Sequence, residues 1–254
     1  MGEQLRQWRA RRRVSQLELS LLAGVSARHL SFIETGRSRP SSEMILRIAE
    51  RLDVPLRERN ALLLAGGFAP AYPEHALGSP PLGAVTAAMR QVLDGHEPYP
   101  ALAVDRHWEL IDSNTAASIF LEGAAADLLE PPVNVLRLAL HPGGLGPRVV
   151  NLGEFRGRML AGLRRQAEAT GDPVLSDLYD ELRGYPGGQP VPEAGRAAGE
   201  IVMPMRIRHG PHELAFITTT TVFGRPLDVT VAELAIESFY PADEATAKIL
   251  RGLG

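Results

Sequence analysis

The stretch GGFAPAYPEHALGSPPLG, Gly66 to Gly83, most constrains what this chain can fold into. It holds four prolines and four glycines in 18 residues and shows no apolar periodicity. Proline removes a backbone donor and fixes φ, so neither a helix nor a central strand can run through it. That composition marks a linker or domain boundary, with expected bounds at 1–66 for a first domain, 67–83 for the linker and 84–254 for a second domain. A length of 254 residues suits one or two domains. Charge divides at the same place. Residues 1–66 carry 12 Arg against 7 acids, whereas the rest carries 15 Lys or Arg against 23 acids. A basic head on an acidic body points to a head that meets a polyanion.

Several classes are excluded early. There is no cysteine, hence no disulfide or thiolate metal site. No charge-free apolar run reaches the roughly 18 residues of a membrane span. MGEQLRQWRARRR lacks the apolar core of a secretory signal. The expected location is the cytoplasm, with no membrane partner.

The head reads as an all-α bundle of about five short helices. Leu5 and Trp8 share one face of the first, and Arg9, Arg11, Arg12 and Arg13 close it at the negative end of the helix dipole. Ser15 and Glu18 have capping-box spacing. Ser26 caps a third helix, and Gly36 ends it in a left-handed turn. Pro40 and Ser41 open a fourth, with a stripe of Ile45, Ile48, Ala49 and Leu52; Pro55 restarts a fifth up to about Ala65. The helices Gln16–Ala23 and Ala27–Thr35 flank a short glycine-bearing turn, which sets two helices at a steep angle. Leu17, Leu21, Val25, Leu30 and Ile33 are expected on the buried side. The outer face of the second helix then shows Ala27, Arg28, Ser31 and Phe32, with Ser26 at its start. In a major groove Arg28 can make the bidentate contact to guanine, and Ala27 or Phe32 can touch a thymine methyl. Gln16, Arg37 and Arg39 suit phosphate.

Leu5 to Pro55 resembles the Xre/Cro-type helix-turn-helix family. Ser15-Gln16, Ala23-Gly24-Val25-Ser26, Ile33-Glu34, Gly36-Arg37, Pro40-Ser41 and Leu46 to Leu52 carry the resemblance. It implies that Gln16, Ala27, Arg28 and Ser31 face DNA and that Glu34 is structural. Many relatives have a long polar side chain where this chain has Ala27.

The body has a different pattern. PLGAVTAAMRQVL reads as a helix to about Leu93. PALAVD and WELIDS are short strands around Asp105-Arg106-His107. Asn114 caps a helix, and helices follow over roughly Leu152–Ala169 and Pro173–Leu182, then a loop, GYPGGQPVPEAG. EIVMPMRIRH and ELAFITTTTVF alternate around Gly210-Pro211 as an antiparallel hairpin, LAIESFYP is a last strand and ADEATAKILRGL a closing helix. Strands at both ends with helices between give an α+β domain.

Its chemistry is sparse. Among seven histidines none forms an i, i+4 metal pair, and His209 and His212 flank the hairpin turn. There is no G-x-S-x-G and no phosphate-binding loop. No catalytic constellation stands out, so the chain is expected to be a non-enzyme without a cofactor or metal. What remains is an apolar interior with few polar groups, the character of a ligand pocket. Phe120, Leu136, Phe155, Met159, Leu163, Met203, Met205, Phe216, Phe223 and Phe239 are candidates for core or wall. Asn134, Arg137 and His141 recur at i, i+3, i+7, and Arg137 can hold a carboxylate head group.

NVLRLALHPGGLGPRVVN, the helices after it and the final ELAFITTTTVF to AKIL segment resemble the MmyB-like regulator ligand-binding domain. Asn134 with Arg137, Asp172-Pro173, Phe223-Gly224 and Pro241-Ala242-Asp243 carry it. It implies a PAS-like domain with a five-stranded antiparallel sheet and a small hydrophobic effector, such as a fatty acid. Many relatives carry a Trp near FRGRMLAGLRR, which this chain lacks. The combined expectation is a homodimeric, sequence-specific transcriptional regulator of a double-stranded DNA operator, responsive to an apolar ligand. The alternatives are a constitutive dimeric repressor without ligand, a protein-interaction adaptor, or an enzyme fused to a DNA-binding head.

Overall fold

The computed structural model describes residues 1–187 and 203–252. The part of the expected loop beyond Gly187, the start of the expected hairpin at Glu200 to Val202, and Leu253 lie outside the described residues. Two compact units form: Met1–Ala76 with Glu168–Gly171 and Arg225–Ala232, and Leu77–Ala167 with Asp172–Gly224 and Glu233–Gly254.

The first unit holds α1 (Gly2–Arg11), α2 (Gln16–Ala23), α3 (Ala27–Glu34), α4 (Ser42–Arg51) and α5 (Leu56–Ala65). Punctuation in the sequence explains their ends. Ser15 and Glu18 form the reciprocal capping box of α2. The hydroxyls of Ser26 and Ser41 accept from the backbone N–H of His29 and Met44 at 3.1 and 3.2 Å, which satisfies otherwise orphaned donors. Gly24 and Gly36 follow α2 and α3 at φ 64° and 74°, left-handed backbone that glycine adopts without a Cβ clash. Leu5, Trp8, Leu30, Ile33, Ile45, Ile48, Leu62 and Leu63 close the core.

One expected packing face is wrong. Leu17 and Leu21 are exposed, at 63 and 75 %, while Leu19, Ser20 and Ala23 are buried. The sequence QLELSLLA places leucines all round α2, so periodicity offers two i, i+4 pairs. Packing in the bundle selects Leu19 with Ala23.

The second unit begins with α6 (Gly83–Gly95). β1 (Ala101–Val104) and β2 (Leu110–Ser113) follow, then 3-10 turns, α7 (Val135–Leu140), α8 (Leu152–Thr170) and α9 (Pro173–Gly184). The hairpin β3 (Met205–His209) and β4 (His212–Val222) comes next. The short helix α10 (Val229–Ala232), grouped with the first unit, precedes β5 (Ala235–Pro241) and α11 (Glu244–Arg251). Among the described residues these strands form one five-stranded sheet, order β2-β1-β5-β4-β3, antiparallel throughout. Asn114 caps a 3-10 turn rather than the α-helix expected there. Its buried amide makes four hydrogen bonds: it accepts from Ala101 and Ala117 and donates to Leu93 and Tyr99. Side chains alternate across a strand, so Ala101, Ala103 and Ile236 face α6 and pack with Met89 and Leu93. The opposite face carries Leu102 and Glu237. α7, α8 and α9 pack together through Leu136, Leu140, Leu160, Leu163, Leu175, Leu178 and Leu182.

Candidate functional site

Two surfaces carry chemistry. In the first unit, the outward side of α3 and its flanks expose Ser26, Arg28, Arg37 and Arg39, with Ala27, Ser31 and Phe32 half-buried beside them. The Arg28 guanidinium rests 5.3 Å from the centroid of the Phe32 ring, one helical turn on. Arg39 donates to the Gly66 carbonyl at 3.2 Å and lies over Phe68. Behind this face, Glu34 is buried. It receives Arg9 through two bonds, at 2.7 and 3.0 Å, and the Gln16 amide at 2.8 Å. One carboxylate thus ties α1, α2 and α3 together. Burial pushes the Glu34 carboxyl up, but the bonds from Arg9 and Gln16 and the charge of Arg9 outweigh it and hold it below the ordinary glutamate range.

In the second unit, a cavity of about 310 Å³ lies between the sheet and the helices α7 and α8. Its helical wall comes from Phe155, Arg158, Met159, Gly162, Leu163 and Arg165, a spacing that keeps one face of α8 inward. Its sheet wall contains a continuous cross-strand row: Ser113 pairs with Leu102, Leu102 with Glu237, and Glu237 with Thr220. All four line the cavity. Glu237 is buried and accepts from the Thr220 hydroxyl at 2.7 Å. Burial pushes its carboxyl above the ordinary glutamate range, and the Thr220 bond offsets this only in part. Trp108 forms another wall with its backbone in the left-handed region at φ 67°. Its indole N–H donates to Gln166 on α8 at 2.9 Å. A bulky residue holds that conformation only where its surroundings over-determine it.

The MmyB-like transcription regulator ligand binding domain matches residues 85–253, and the helix-turn-helix family matches residues 5–59. This chain belongs to the MmyB-like regulators. It is a DNA-binding transcription regulator with a ligand-binding domain. No curated protein of known function matches it significantly. A solved chain described as an RNA-binding light-oxygen-voltage receptor aligns over 96 % of this chain and 59 % of its own length, at 14 % identity and a TM-score of 0.31. That likeness is too weak to carry an argument.

Within this MmyB-like regulator, Phe120, Leu136, Phe155, Met159, Met203, Met205 and Phe239 line the cavity, and so does Leu163. Asn134, Arg137 and Phe216 do not. Phe216 is fully buried and stacks edge-on against Phe120 and Phe239, one layer behind the wall. Asn134 is the N-cap of α7: it accepts from the Arg137 backbone and donates to the His107 carbonyl. Arg137 grips Glu181 through two bonds of 2.7 Å, which satisfies the charge expected to hold a ligand head group. The helix ends at Leu140, and His141 is extended at ψ 143°, so Asn134, Arg137 and His141 share no helical face. Phe223 packs on the α6 side. His209 bonds Glu122 at 3.0 Å beside the hairpin turn.

Trp108, Glu237, Thr218, Thr220, Arg158 and Arg165 are cavity residues that sequence reasoning did not single out. Glu237 had a signal: in AIESFYP the acid occupies the same alternating face as Phe239. Nothing in the sequence marked Trp108, because its place depends on the turn conformation.

Proposed function

We propose that this chain is a cytoplasmic, non-enzymatic, homodimeric regulator. Its α3 reads an operator, and its second unit takes a small apolar effector, a fatty acid, into the cavity between sheet and helices. The cavity is the observation that carries the effector half: 310 Å³ falls at the lower end of the range of small-molecule sites, and phenylalanine, leucine and methionine walls suit an alkyl chain. A cavity of this size speaks against a body that only dimerises. Arg158 and Arg165, exposed on α8 at its rim, replace Arg137 as the cations a carboxylate head would meet.

On the DNA side, Arg28 supplies direct base readout. Gln16, Ser26, Arg37 and Arg39 contact phosphate and sugar, and Ala27, Ser31 and Phe32 approach the base edges. One strong reading side chain per head is thin specificity. Two heads on one operator multiply it, which is what dimerisation supplies. Effector binding changes operator affinity if the two arrangements of the heads bind the effector differently.

The test begins with an operator selected from random duplex DNA. Its affinity for the full chain is then measured by fluorescence anisotropy with and without tetradecanoic acid, and small molecules extracted from the purified protein are identified by mass spectrometry. A change in affinity together with bound lipid supports the proposal. Unchanged affinity at saturation and no extracted lipid overturn the effector half.

A further inference from the structure

Among the described residues that line the cavity, Glu237 is the one carboxylic acid. A buried carboxyl next to a greasy cavity is costly unless a partner compensates it. Only one of its oxygens has such a partner, the Thr220 hydroxyl; among the described residues the carboxyl bonds to nothing else. Among the described residues no cation forms an ion pair with it. The Arg158 and Arg165 side chains project from α8, on the wall facing the sheet. Within its row, the next polar group on the cavity side is Ser113, with Leu102 between. Adjacent strands are about 4.8 Å apart, so Ser113 sits about 10 Å from Glu237 along the row, too far to satisfy it.

A purely structural role fits poorly. The Thr220–Glu237 bond joins two residues already paired in the β4–β5 ladder, so the sheet does not need it. A leucine in the same place would extend the apolar surface of Leu102 beside it. The carboxyl does offer the cavity both a donor and an acceptor when protonated, and an acceptor when ionised. Either state is satisfied by a hydroxyl. A second carboxylate is repelled by the ionised form, and the rim arginines attract it.

We propose that Glu237, with Thr220, is a specificity-determining residue that selects apolar chains bearing a hydroxyl along their length: the hydroxyl docks on the carboxyl, and the chain's anionic head lies at the Arg158–Arg165 rim. This rests on the effector reading above and adds the class of effector, a hydroxylated amphiphile over a plain alkyl chain. A site that hydrogen-bonds a ligand hydroxyl discriminates strongly against the analogue lacking it, because the buried group is then left unpaired.

The experiment uses the full chain and displacement of the fluorescent apolar dye anilinonaphthalene sulfonate. The competitors are tetradecanoic acid and a positional set of hydroxytetradecanoic acids, tested on wild type, Glu237→Leu and Glu237→Gln. Thermal melting of each variant confirms that it folds. In wild type, at least one hydroxylated isomer is expected to bind about tenfold or more tightly than tetradecanoic acid. Glu237→Leu is expected to abolish or invert that ratio, while the amide of Glu237→Gln, a donor and an acceptor, keeps part of it. Thr220→Val, which removes the hydroxyl that orients the carboxyl, reduces the ratio without inverting it. If tetradecanoic acid binds wild type as well as every isomer, or if the ratio is unchanged in folded Glu237→Leu, the selection by Glu237 is wrong while the apolar pocket stands. If no chain displaces the dye from wild type, the effector reading falls and takes this inference with it.

Discussion

At the scale of single residues, two glutamates show how environment divides one side-chain type. Glu34 is held ionised by Arg9 and Gln16, so its folded-state pKa lies below the ordinary value of 4.5. Its contribution to stability is fully present above 4.5 and is lost as the pH falls through the lowered folded value. Removing it leaves the half-buried Arg9 with only the Val14 carbonyl to bond. Glu34→Ala is therefore expected to cost about 3 kcal/mol by chemical denaturation at neutral pH, and to flatten the loss of stability on acidification. Wild-type-like acid dependence in Glu34→Ala would remove Glu34 from this role. Glu237 works in the opposite direction: its raised pKa penalises folding as the pH rises from the ordinary value toward the folded one, consistent with a group retained for something other than stability. Arg28 belongs to this scale too. Arg28→Ala is expected to lower operator affinity by about 1–3 kcal/mol and to relax base preference at one position, with no change in thermal stability.

At the scale of elements, glycines separate backbone need from open space. A Cβ on Gly36 would meet nothing within 4 Å, yet its φ of 74° is costly for any other residue. Gly36→Ala is expected to destabilise by about 1–2 kcal/mol through backbone conformation alone. Gly83 is the control. It also has open space around it, but it takes helical angles, φ −55° and ψ −41°, at the start of α6. Gly83→Ala is expected to stabilise by about 0.4–1 kcal/mol, since it restricts the unfolded chain. Thermal melts of the two variants must move in opposite directions. Equal shifts would show that the conformation at residue 36 is not what the glycine serves.

At the scale of the whole molecule, the separate charges of the two parts matter. A head with a net excess of arginine binds DNA with counterion release, so operator affinity is expected to fall steeply and log-linearly with salt, the slope scaling with the number of phosphates contacted. Arg37→Ala and Arg39→Ala should each reduce that slope by about 1 while leaving sequence preference in place. Coupling between effector and operator, at a usual size of about 1–3 kcal/mol, would appear as a 5- to 150-fold change in affinity that is reciprocal, with DNA shifting the effector affinity by the same factor. A non-reciprocal result would place the effect outside binding equilibrium.

The sequence by itself determined the helices of the head and where they stop. Ser15, Ser26 and Ser41, Gly24 and Gly36, and the Pro-rich stretch after Ala65 act through local geometry, which needs no knowledge of distant residues. The alternation of AIESFYP placed its strand for the same reason. Only the tertiary structure decided between equivalent faces and between wall and core. QLELSLLA offers two leucine faces, and contact with α3 and α4 buried Leu19 rather than Leu17 and Leu21. Arg137 has the type and spacing of a ligand-holding cation, but Glu181, 44 residues away, takes its charge. Trp108 and Glu237 come to the same cavity from segments more than a hundred residues apart. Local signals fix conformation because their causes lie within a few residues. Which side chain faces a cavity depends on what packs opposite, and that is set by contacts that exist only once the chain has folded.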